Sequence, residues 1–233
     1  MNNKHWLVVG GNSGIGAALV QRLRKRDESI WCLSRHIESA DIEGINVKNW
    51  DVMKEPFPEN FAPETLDGVV YCPGSIRLKP FLQLTDKDFN EDFQLNVLGA
   101  VKTLRACHNA LSRADHASVV LFSTVAVQTG LKFHASVASA KGALEGLTRS
   151  LASEWAPKIS VNAIAPALIE TPLSKKLIGD DKRRQAVAQM SPMKCIGQPD
   201  TIAQLAEWLL TMPQPFVSGQ VFAVDGGMSS LRV

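Results

Sequence analysis

The stretch Val9-Gly10-Gly11-Asn12-Ser13-Gly14-Ile15-Gly16 decides the fold. It follows a short apolar run, Trp6–Val9, and opens at once into a helical pattern from Ala17 to Arg26. A strand that turns directly into a helix presents the helix's free N–H groups and partial positive charge at the turn. Glycines at 10, 14 and 16 suit a loop that must turn sharply, bring backbone close to a pyrophosphate and pack a helix tightly on a strand. The plain alternative is a glycine-rich turn that binds nothing, and its position between strand and helix weighs against that. Asn12, Ser13 and Ile15 complete the candidate phosphate loop.

The same alternation continues along the chain. Further strands are predicted at Ile30–Leu33, Val47–Trp50, Val69–Cys72, Val119–Ser123, Ser160–Ile164 and Val221–Val224. Helices are predicted near Gly14–Arg26, Asp86–Ser112, His134–Trp155, Leu173–Met190 and Asp200–Thr211. Strands that read as continuous apolar runs are covered on both faces. The expected fold is therefore α/β: a Rossmann-type, three-layer, doubly wound parallel sheet of about seven strands, in a single domain over residues 1–233.

Composition removes several classes. A formal charge of +2 with scattered Lys and Arg offers no basic face for nucleic acid and no polybasic membrane anchor. The apolar run at Trp6–Val9 is too short for a signal peptide, and no stretch approaches a bilayer span. Cys32, Cys72, Cys107 and Cys195 are far apart and the histidines dispersed, so no metal site is expected. Free, reduced thiols and a cytoplasmic location are the expectation.

The second strand ends in Ser34-Arg35-His36, where an NAD-selective site usually carries an acid for the ribose 2′-hydroxyl. Ser34 and Arg35 instead suit a 2′-phosphate, because guanidinium binds phosphate in a bidentate fashion. NADP(H) is the preferred cofactor and NAD(H) stays open, with a surface salt bridge as the other use of Arg35. Residues 171–199 carry a dense run of charge, including Lys175, Lys176, Lys182, Arg183 and Arg184. Such a run suits either a solvated helix face or a lid over a substrate pocket.

Taken together, these motifs resemble the short-chain dehydrogenase/reductase family over nearly the whole chain. Gly10–Gly16 is similar to its cofactor loop, and Asp51 with Val52 to its adenine-binding acid after the third strand. Cys72-Pro73-Gly74 stands where the family usually has Asn-Ala-Gly. Asn96 resembles its mid-helix asparagine, which holds a helix distortion and a water. Pro166, Ala167, Ile169 and Thr171 resemble the segment that contacts nicotinamide, and Val224-Asp225-Gly226-Gly227 the C-terminal signature. The resemblance implies strand order 3-2-1-4-5-6-7, and a homodimer or homotetramer acting on a small molecule.

The family's catalytic pattern is altered. Lys141 matches the lysine of its Tyr-x-x-x-Lys motif, but the tyrosine position is Val137, and the only tyrosine in the chain is Tyr71. Thr124 stands at the serine position and keeps the hydroxyl; valine keeps no proton to give. His134, three residues before Val137 and seven before Lys141, shares their helix face and has the chemistry of an acid or base. Its plain alternative is a polar residue near a helix start. Two functions follow: an NAD(P)(H)-dependent oxidoreductase acting on a carbonyl/alcohol or enone substrate through Asn96, Thr124, Lys141 and His134, or a catalytically inactive NADP(H)-binding sensor or scaffold.

Overall fold

The computed structural model describes residues 3–26, 28–37 and 44–232. Its core is one seven-stranded parallel sheet, in the order β3-β2-β1-β4-β5-β6-β7. In chain order the elements begin with β1 (His5–Val9), α1 (Gly14–Arg24), β2 (Ser29–Ser34), β3 (Asn46–Asn49) and β4 (Gly68–Tyr71). The middle holds α2 (Asp86–Phe93), α3 (Gly99–Arg113), β5 (Ala117–Phe122), α4 (Ala126–Thr129), α5 (Ala135–Trp155) and β6 (Ile159–Pro166). The chain closes with α6 (Lys175–Ile178), α7 (Asp181–Gln189), α8 (Pro199–Thr211) and β7 (Val221–Val224). The expected fold class and strand order are both found.

Side chains alternate across a strand, so β1 feeds two separate cores. Leu7 and Val9 join Leu33, Tyr71, Leu104 and Leu144 on the face covered by α3 and α5. Trp6 and Val8 join Leu19, Leu23, Ile202 and Leu209 on the face covered by α1 and α8. Pairing in register, Val9 opposite both Leu33 and Tyr71, ends β1, β2 and β4 at one level.

Three elements depart from the sequence reading. β3 is an exposed edge strand that ends before Trp50, whose buried indole Nε1 instead donates to Pro56 O at 2.8 Å. The helix expected over Leu173–Met190 is broken at Gly179, whose φ of +54° ends α6 before Asp180 caps α7 through Arg183 N. The helix expected over Asp86–Ser112 carries a π turn at Gln94–Leu98.

Two side chains bond backbone carbonyls in and just before that turn. Asn96 Nδ2 donates to Asp92 O at 2.8 Å and the Tyr71 hydroxyl donates to Leu95 O at 2.6 Å. Tyr71 fits only because residue 99 is glycine: a Cβ there would stand 2.1 Å from the tyrosine oxygen. The chain's one tyrosine is thus a buried brace, its phenol pushed well above its ordinary range by burial. Tyr71→Phe would leave a carbonyl unpaired in the core, and should cost about 1–3 kcal/mol in a urea unfolding titration. A variant as stable as the wild type would show that the π turn does not depend on this bond.

Candidate active site

The loops that leave the C-terminal ends of β1, β4, β5 and β6 meet above one edge of the sheet. They line a cavity of about 800 Å³, as do the chain after β6 and the end of β7.

One part of this edge is the glycine loop. Gly10 and Gly14 have φ of +81° and +54°, and a Cβ on Gly16 would lie 2.2 Å from Gly10 O. Only glycines let α1 sit this close to the turn. Ser13 is the extended N-cap residue of α1, but its hydroxyl does not cap the helix, so no side chain of the cap competes for the first N–H groups. Asn12 and Ser13 are exposed, and Asn12 Nδ2 donates to His36 O at 2.5 Å. Thr171 reaches back to the loop, its Cγ2 3.1 Å from where a Gly14 Cβ would be. At the end of β2, Arg35 is exposed and Ser34 is buried, its hydroxyl oxygen without a partner among the described residues. Asp51 lies just beyond β3, accepting from Met53 N at 3.0 Å, and Val52 is buried beside it.

The other part lies between β4, β5 and α5. Lys141 is buried and its Nζ donates to Phe122 O at 2.6 Å. Burial lowers its pKa from 10.5 to about 8, against the opposing field of Asp92. A Cβ on Gly74 would stand 3.3 Å from Asn96 Oδ1 and 3.4 Å from Lys141 Nζ, so both atoms face one small space. Asn96 Oδ1 is buried and has no partner among the described residues. Thr124 Oγ1 accepts from Ala126 N at 3.3 Å, which leaves its proton free to donate into the cavity. Val137 is buried in the cavity wall.

His134 also lines the cavity, but it is the N-cap residue of α5, outside the helix on which the sequence reading placed it. Its Nδ1 lies 2.7 Å from Lys132 O. A carbonyl can only accept, so Nδ1 carries the hydrogen, and neutral Nε2 is a bare acceptor. Ile15, Cys72, Gly74, Pro166, Ala167 and Ile169 line the same space; Pro73 packs behind it, its Cδ 3.3 Å from the Cβ position of Gly10.

Sequence reasoning missed the groups that hold Asn96. Asp92, one helical turn earlier, is buried and accepts hydrogen bonds from Ser75 Oγ at 2.6 Å and from Ser136 Oγ. Ser75 spends its single proton on that carboxylate and offers a lone pair to Asn96 Nδ2 at 3.1 Å. The amide is thereby oriented, with Oδ1 left towards Lys141. The i, i+4 spacing of Asp92 and Asn96 is the signal that was available. Likewise Ser123 donates to the buried Glu145 at 2.7 Å, so Thr124 is the free hydroxyl of that pair.

A neck closes the charged segment. Ile169 and Gly197 form a parallel bridge, and Glu170 accepts from Gln198 at 3.1 Å and from Arg184 of α7. These bonds, that to Arg184 foremost, draw the Glu170 carboxyl down to about 2.

Comparison with known proteins agrees with this architecture. A family model described as Enoyl-(Acyl carrier protein) reductase matches residues 9–229. A tropinone reductase homolog of Arabidopsis thaliana is 31% identical over 245 residues, covering 96% of this chain and 89% of that protein. The solved TT0495 protein from Thermus thermophilus is 29% identical, with a TM-score of 0.88 over 99% of this chain and 100% of that one. A short chain dehydrogenase family protein from Francisella tularensis subsp. tularensis has the same fold, with a TM-score of 0.88 at 22% identity over 99% of this chain and 100% of that one. The chain belongs to the short-chain dehydrogenase/reductase family, whose members are oxidoreductases using NAD(P)(H).

The buried amine gives a direct test. NMR of lysine side chains should show one amine titrating near pH 8, absent in Lys141→Met. Asp92→Asn removes an anion that favours the charged form and should lower that value further. The unfolded chain holds this proton up to about pH 10.5 while the folded chain releases it near 8, so wild-type stability rises with pH across that window. Lys141→Met should therefore be the more stable protein at pH 7, with the gap closing as pH rises from 8 to 10.5. A constant gap would mean that the ammonium is solvated.

Proposed function

We propose that this chain is an NADP(H)-dependent oxidoreductase that interconverts a carbonyl and an alcohol, or reduces an enone, without a catalytic tyrosine. The observation that carries this reading is the convergence of Thr124, Lys141 and Asn96 Oδ1 on the sheet edge that also carries the glycine loop. A dinucleotide fits that edge. The pyrophosphate would rest on the N-terminus of α1 at Gly10–Gly16, with Asn12, Ser13 and Ile15 beside it. Buried Ser34 and exposed Arg35 would meet the adenosine ribose and its 2′-phosphate, while Asp51 and Val52 would border the adenine. Cys72, Pro73, Gly74, Pro166, Ala167, Ile169 and Thr171 would surround the nicotinamide half.

When bound, the dinucleotide supplies or accepts the hydride. In reduction the carbonyl carbon gains that electron pair, the C=O π pair moves onto oxygen, and the oxygen takes one proton. Thr124 donates a hydrogen bond to that oxygen, and the ammonium of Lys141 adds positive charge near it. Asn96 Oδ1 and Lys141 Nζ hold the space over Gly74. His134 is the proton donor of this scheme. With Nδ1–H committed to Lys132 O, it donates from Nε2 only as imidazolium, and as neutral imidazole it accepts a proton in the reverse direction. Residues 171–199 act as the lid, tethered at Glu170 and jointed at Gly179.

A second reading rests on Val137: the buried valine gives the cavity wall no proton at that point, as suits a sensor or scaffold that binds NADP(H) without turnover.

Titration with NADPH and NADH, followed by NADPH oxidation over a panel of ketones and enones, separates the two. NADPH should bind more tightly than NADH, and Arg35→Ala should weaken NADPH at least about tenfold while sparing NADH. Turnover should fall about 10²–10³-fold in Thr124→Val, by loss of an oxyanion donor, and about 10²-fold or more in His134→Ala. Tight binding with no turnover on any panel member favours the sensor. Failure to bind either dinucleotide rejects both readings.

A further inference from the structure

The cavity has very few hydrogen-bonding side chains to spare. Ser123 is committed to Glu145, Ser174 to Ile169 O, Ser191 to Gly226 O and Gln198 to Glu170. Ser75 is committed to Asp92, and the Asp225 carboxylate accepts from Gly227 N and Ser229 N. On the β5–α5 wall that leaves the Thr124 hydroxyl, the Lys141 ammonium and His134 Nε2; elsewhere in the lining Thr171 is engaged with Ser174, and the Thr201 hydroxyl and the Cys72 and Cys195 thiols add neutral groups. The charged lid segment adds no charged side chain to the lining. From it, Leu173, Leu177, Val187, Met190 and Met193 line the cavity, whereas Lys175, Lys176, Lys182, Arg183 and Arg184 are exposed and absent from the lining. No arginine lines the cavity among the described residues, and Asp225 adds a negative charge to its wall.

A buried carboxylate or phosphate needs a paired cation and a full set of donors; the one lysine of the lining, Lys141, is already bonded to Phe122 O, and the lid side of the cavity supplies no cation. An apolar wall does reward every methylene removed from water. We infer that the substrate is an uncharged carbonyl compound with an extended apolar body. Its single polar atom meets Thr124, and its hydrocarbon part lies against Leu173, Leu177, Val187 and Met190. The inference rests on the oxidoreductase reading for the identity of the polar atom, and on the lining alone for the apolar body.

The test measures binding separately from turnover. Calorimetric titrations, with and without NADP⁺, compare butan-2-one, heptan-2-one, nonan-2-one and 8-oxononanoate, the last being the nine-carbon ketone with a terminal carboxylate. Affinity should rise about three- to fourfold per added methylene across the ketones. 8-Oxononanoate should bind at least tenfold more weakly than nonan-2-one. Leu177→Lys, which places a cation on the apolar wall, should weaken nonan-2-one and strengthen the oxo acid. An oxo acid that binds the wild type as well as the ketone does, or ketones that bind without length dependence or not at all, overturns the inference. Length-dependent ketone binding without NADPH oxidation supports the apolar site and counts against the oxidoreductase reading alone.

Discussion

A parallel strand must be left at one end and re-entered at the other, so every chain segment that follows a strand emerges on the same edge of the sheet. Here that constraint gathers residues from four crossovers. The glycine loop after β1, Gly74 after β4, Thr124 after β5 and Pro166 at the end of β6 are dispersed in sequence yet border one space. The order β3-β2-β1-β4 puts the reversal of winding between β1 and β4, beside the glycine loop. Contacts across that junction are tight enough that a Cβ on Gly10 would stand 3.2 Å from Cys72 Cβ. The phosphate end and the reaction end are thus joined by backbone packing, and a shift of one moves the other.

At the reaction end the controlling problem is a buried cation. Taking an ammonium out of water is costly, and the protein offsets this with one short bond to Phe122 O and the field of Asp92. Asp92 is itself buried and accepts from the two hydroxyls of Ser75 and Ser136, with Arg77 Nε 3.9 Å away. Arg77 in turn pairs with Asp88 and Glu91, which carries the network to the molecular surface. Because hydroxyl protons can be spent only once, this chain of partners has a direction, and it terminates at Asn96 Oδ1 facing Lys141.

Much of this was legible in the sequence because it depends on local rules. Continuous apolar runs marked doubly covered strands, and the glycines at 10, 14 and 16 marked a turn that admits no side chain. What stayed hidden depends on tertiary partners. Asp92 reads as one more charge on a polar helix, and its burial follows only once α5 brings Ser136 against it. The break at Gly179 was obscured because flanking charges kept helical spacing, whereas the positive φ of a single glycine ends α6. His134 was placed one residue too deep, since helical periodicity gives a face but not the first turn. β3 pairs on one side only, so its short run of strand-like residues says nothing of its exposure.

The two readings of function meet at position 141. The fold alone would be firmer at neutral pH with an apolar side chain in place of a desolvated ammonium, but both readings bind a dinucleotide. A binder of dinucleotide needs a donor there, which a fully protonated lysine supplies. Burial draws this amine down to about 8, closer to neutrality than an ordinary lysine, in a wall shared with a free hydroxyl. The Asp92–Ser75–Asn96 arrangement holds a buried acceptor beside that amine. A buried amine and ordered polar groups that cost stability are features that perturbed functional sites share. On the oxidoreductase reading, Val137 changes the source of the proton; on the sensor reading, it removes one.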